Sequence, residues 1–68
     1  MKTYYVNKNA QTNGDHEVHI ESCSHLPNDK NLILLGKYSN CDSAVQKSKE
    51  YYNQTNGCYY CCLPCHTS

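Results

Sequence analysis

The chain has 68 residues, no formal net charge, six cysteines, seven tyrosines, and neither Phe nor Trp. That length allows one domain with a thin core, which rarely supplies more than about 3–5 kcal/mol, so a covalent or metal staple is expected. The balanced charge leaves out the basic footprint common in nucleic-acid binders, and no apolar run is long enough to span a membrane.

Thr3 to Asn7 reads as a short strand rich in Tyr and Val. The polar stretch 8–15 carries Asn13-Gly14, a hairpin signal. Residues 16–21 alternate, with Val18 and Ile20 on one face and Glu17, His19 and Glu21 on the other, as in a half-buried strand. Pro27 biases Leu26 towards extended geometry, so residues 22–26 make one turn at most. Leu32 to Leu35, ended by Gly36, is expected to be a central strand covered on both faces.

A helix is expected next, with Ser39 or Asn40 as its N-cap. Cys41, Ala44, Val45, Ser48, Tyr51 and Tyr52 fall on one helical stripe, and Asn56-Gly57 is the expected stop. The tail from Cys58 is too short for another packed element. The expected fold is therefore α+β: a three-stranded antiparallel sheet, one main helix and a cysteine-rich C-terminal knuckle, in a single domain over 1–68. The three Tyr pairs, 4–5, 51–52 and 59–60, are read as one ring inward and one outward in place of the missing Phe and Trp.

Compartment bears on the staple. Residues 1–20 are polar nearly throughout and hold no apolar run of signal-peptide length, so a cytoplasmic location with reduced thiols is expected. Cysteine clusters there bind metal more often than they form disulfides. Two spacings suit a zinc ion: His19-x3-Cys23, where a strand gives way to a turn, and Cys58-x2-Cys61, just after Gly57. A two-residue spacer in a tight turn lets two thiolates reach one ion at about 2.3 Å, and four protein ligands close a tetrahedral site. Cys41, Cys62, Cys65 and His66 are substitutes for members of this set. Cys41 also reads as a small buried residue on the helix stripe. Cys62 and Cys65 also read as spare thiols or as partners in a local disulfide.

The order of a hairpin, His-x3-Cys, a turn, a strand, a helix and Gly-Cys-x2-Cys resembles the metal-binding domain of the Ada DNA-repair family and its small relatives, some appended to nucleases. The likeness covers about residues 17–61, with 62–68 as a cysteine-rich tail, and implies zinc on His19, Cys23, Cys58 and Cys61. The whole chain also looks like a group of stand-alone bacterial proteins of this length with a similar ending. In the Ada domain proper the first ligand is a cysteine, and one cysteine accepts a methyl group from damaged DNA. His19 replaces that first ligand here, so the resemblance implies fold and zinc, not methyl transfer.

The expected function is thus a non-enzymatic structural-zinc module, a monomer that docks on a protein partner. One alternative is nucleic-acid binding through Lys30, Lys37, Lys47, Lys49 and the Tyr pairs. Another is a disulfide-stapled protein, or thiol redox chemistry at Cys62-Leu63-Pro64-Cys65. No nucleophile, base and orienting group can be read at catalytic spacing.

Overall fold

A computed structural model of the chain describes residues 1–67. Strands β1 (Lys2–Asn7) and β2 (His16–Ile20) form the expected antiparallel hairpin, with Tyr4 opposite Ile20 and Val6 opposite Val18. These four side chains share one face because strand side chains alternate. In the connecting loop, Gly14 takes a φ of 93° and Asn13 Oδ1 accepts from the Asp15 N–H at 2.9 Å. The side-chain oxygen thus closes the turn that glycine makes possible.

The sheet corrects the expectation. It has four strands in the order β3-β1-β2-β4 and is mixed rather than antiparallel. Strand β3 (Leu32–Tyr38) runs through Gly36 and is an edge strand, not a central one. The pairing register with β1 shifts between Tyr4 and Tyr5, and Gly36 adopts a φ of 123°. This bulge turns Leu35 into the core, at 5% exposure, and leaves Leu34 outside at 58%. The apolar run hid that division because an edge strand with a bulge has no clean alternation.

The helix α1 (Cys41–Ser48) is shorter than its stripe predicts. Asn40 is the N-cap, its side chain accepting from the Ser43 N–H at 3.0 Å. Ser48 is fully buried, and its hydroxyl donates back to the Val45 carbonyl at 2.6 Å, competing with continuation of the helix. Thr55–Gly57 is then drawn into strand β4, which pairs parallel with β2. Asn56-Gly57 is therefore strand, not a helix stop.

The core is Tyr4, Val6, Val18, Leu35, Ala44 and Cys62, with Ile20, Ile33, Tyr38 and Val45 packed against it. It lies between the β1–β2 face and α1. The tail was expected to hold no packed element, but Leu63–Cys65 makes a 3-10 turn beside the helix. Tyr4 is buried and Tyr5 half-buried, while Tyr59 and Tyr60 are both exposed, so the one-in, one-out reading fails for the last pair. Among the described residues no helix is long and apolar enough to cross a membrane.

Candidate metal centre

Strand β2 supplies the first member of the site. Its alternation puts His19 on the face opposite Val18, beside Tyr5 of β1. A lone histidine there would normally be solvated, yet His19 is only 1% exposed. What covers it is the turn just after the strand and a second segment distant in sequence. Immediately after β2 the backbone turns, with the Cys23 N–H donating to the Ile20 carbonyl at 3.1 Å, and Cys23 swings back towards the strand.

The other segment arrives through β4. Parallel pairing ends at Val18 opposite Gly57, and the Cys58 N–H then donates to the Val18 carbonyl at 3.0 Å. The tail turns at once, the Cys62 N–H reaching the Cys58 carbonyl at 2.8 Å. Gly57 is required for this turn. A Cβ there would stand 2.8 Å from both the Cys62 carbonyl oxygen and the Cys65 Cβ.

The ligand atoms of His19, Cys23, Cys58 and Cys61 all lie within 4.8 Å of one another and could hold a metal ion. Cys23 Sγ is 3.9 Å from Cys58 Sγ, and Cys61 Sγ is 3.9 Å from His19 Nδ1. A tetrahedral ion bound to sulfur at about 2.3 Å holds its ligands about 3.8 Å apart, so the cluster has the size of such a shell. Two sulfurs also accept backbone N–H groups: Ile20 N–H to Cys61 Sγ and His25 N–H to Cys23 Sγ, both at 3.4 Å. Such bonds disperse charge on a thiolate and fix its direction.

The far side of the imidazole is also defined. His19 Nε2 is buried without a hydrogen-bond partner, and its nearest anion is Glu17 Oε1 at 3.6 Å. A carboxylate behind the ring favours a proton on Nε2 and leaves Nδ1 free to face the sulfurs. Burial pushes His19 below its ordinary pKa, the nearby Glu17 carboxylate opposes this, and His25 adds to it. Burial also pushes the Cys61 thiol well up, with a further contribution from the neighbouring Cys23 thiol. A neutral imidazole beside a protonated thiol is the state expected of this cluster without an ion, which would take the place of the thiol protons.

The substitute ligands fall elsewhere. Cys41 and Cys65 are joined in a disulfide, so neither offers a thiolate. That pairing was not among the sequence readings, which took Cys41 as a buried residue or a substitute ligand and Cys65 as a substitute ligand, a spare thiol or half of a local disulfide; 24 positions separate the two. Cys62 is 1% exposed and belongs to the core, where burial raises its thiol pKa. Its sulfur comes within 3.9 Å of Cys61 Sγ, but it is not in the four-residue cluster. His66 is turned away, with Nδ1 3.1 Å from the Gly57 carbonyl and its ring edge-on to Tyr59.

Two ring contacts had no sequence signal beyond composition. His25 stacks on Tyr60 with ring centroids 3.9 Å apart, linking the loop after Cys23 to the tail. His16 stacks on Tyr52 at 3.6 Å and nearly parallel, tying the start of β2 to the segment before β4. Comparison with family models, with curated proteins and with solved structures finds no match.

Proposed function

We propose that the chain is a structural-zinc module whose ion is held by His19 Nδ1 and the thiolates of Cys23, Cys58 and Cys61. The observation that carries this is the convergence of four ligand atoms within 4.8 Å from segments far apart in sequence. One histidine and three thiolates form a soft, small shell, which suits zinc over the oxygen-seeking cations. Four protein ligands leave no position for a reactive water, so the ion would serve the fold and not catalysis. The Ada-type resemblance is consistent with this reading and extends it to a small accessory domain.

The same reading gives the module a protein partner. Tyr59, Tyr60 and Leu63 are all more than half exposed on the tail that carries two of the ligands. An ion that fixes the tail also fixes these side chains, and exposed aromatic groups are enriched where proteins meet. Native mass spectrometry with and without a chelator tests the metal reading. One bound zinc per chain, removed by the chelator, is the expected result. A chain that keeps no ion when purified and refuses one on titration would sink it.

A further inference from the structure

The cysteine pair outside the metal cluster sits where it can act on that cluster. Cys41 opens α1, and Cys65 closes the 3-10 turn of the tail. Their disulfide fastens the tail to the helix. Only residues 58–64 lie between Gly57 and Cys65, and two of the four proposed ligands, Cys58 and Cys61, fall among them. The segment is held at its start by β4, in its middle by the buried Cys62, and at its end by the disulfide.

Both half-cystines are half-buried rather than enclosed. They line an open cleft of about 340 Å³ that Lys2, Tyr4, Asn40 and Cys61 also border. The disulfide is therefore within reach of a reductant in solution, and it shares a wall with a metal ligand.

We propose that the Cys41–Cys65 disulfide is a redox clamp on the metal site: closed, it holds Cys58 and Cys61 ready for the ion, and opened by a thiol reductant it weakens the site. This rests on the reading that the four side chains bind an ion. A dithiol attacks one sulfur as its thiolate, forming a mixed disulfide and releasing the other cysteine as a thiolate. Its second thiol then displaces the remaining cysteine. Two electrons and two protons pass from the dithiol to Cys41 and Cys65, and the dithiol departs as a disulfide. Zinc keeps its oxidation state throughout.

The effect on affinity follows from ordering. A tail already fastened loses little conformational freedom when the ion arrives, whereas a loosened tail must be ordered by the ion itself. Linkage makes the coupling reciprocal: the ion holds Cys65 near Cys41, so it protects the disulfide by the same factor. Coupling between two sites of one protein commonly amounts to about tenfold, which sets the effect to look for.

The test uses the full chain and zinc in chelator competition. The disulfide form is compared with wild-type protein reduced by a phosphine and with a Cys41→Ser/Cys65→Ser variant. Both open forms should bind zinc about tenfold more weakly. Equal affinity in closed and open forms would overturn the clamp and leave the zinc reading standing. No zinc binding in any form would remove both. Should the double variant fold poorly, wild-type protein equilibrated in a glutathione redox buffer gives the second measurement. Zinc should shift the thiol level needed to open the disulfide, and no shift would again overturn the clamp.

Discussion

Cys61 and Cys62 are chain neighbours with sulfurs 3.9 Å apart, and their surroundings give them different tasks. Cys61 accepts the Ile20 N–H and faces His19, while Cys62 packs with Tyr4, Val6 and Ala44. Cys61→Ser should abolish tight zinc binding. Cys62→Ser should keep one zinc per chain but lose about 1–3 kcal/mol in chemical denaturation, because it buries a hydroxyl without an assured partner. Equal loss of zinc from both variants would refute the division. His19 supplies a pH test. Burial holds its folded pKa below the ordinary 6.5, so below that pH the unfolded chain binds more protons than the folded one. Stability of zinc-free protein with its disulfide intact should fall as pH drops through 6.5, until the folded-state pKa is passed. Urea melts at several pH values would show this slope, and His19→Gln should flatten it.

At the scale of elements, the hairpin was legible because β1 and β2 alternate and Asn13-Gly14 marks their turn. The spacings within the candidate cluster were legible because they are local: three residues within His19-x3-Cys23, two within Cys58-x2-Cys61. What escaped was set by tertiary contact. Nothing in Thr55-Asn56-Gly57 alone announces a strand, and it becomes one by adding to the free edge of β2. The end of α1 was misplaced for the same reason, since Tyr51 and Tyr52 continue its stripe while Ser48 closes it. An eight-residue helix is unstable alone, so α1 depends on its cap and on its packing. Asn40→Ala should cost about 1 kcal/mol in a denaturant titration and leave zinc stoichiometry unchanged. Gly57→Ala acts on the tail instead. Its methyl would press on the Cys62 carbonyl at 2.8 Å, so the turn must shift, costing about 1–3 kcal/mol and weakening zinc as well.

For the whole molecule the question is how a core of six buried residues holds 68 together. The Cα radius of gyration is 10.2 Å, against about 11 Å expected for a globule of this length. The chain is therefore fully condensed despite its thin core. The need for a staple was readable from the composition; that a disulfide stands beside the candidate metal cluster was not, because pairing Cys41 with Cys65 depends on where α1 docks. The disulfide closes a loop spanning a sequence separation of 24, which in the chain-entropy model contributes about 3–4 kcal/mol. A structural zinc contributes more, on the order of 10 kcal/mol in short zinc-folded peptides. About 3–5 kcal/mol is the ceiling for the core of a chain this short; with neither Phe nor Trp and only six residues in the buried cluster, this core falls well below it. Either staple added to that core should keep a cooperative fold at room temperature, and the loss of both should bring stability close to zero. Thermal melts followed by circular dichroism in four states, with and without chelator and with and without reductant, measure this directly. The doubly treated protein should show no cooperative transition, and each singly treated form should melt below the intact one. A sharp melt with both staples removed would mean that the packing of Tyr4, Val6, Val18 and Leu35 under α1 suffices, and that ion and disulfide serve the tail alone.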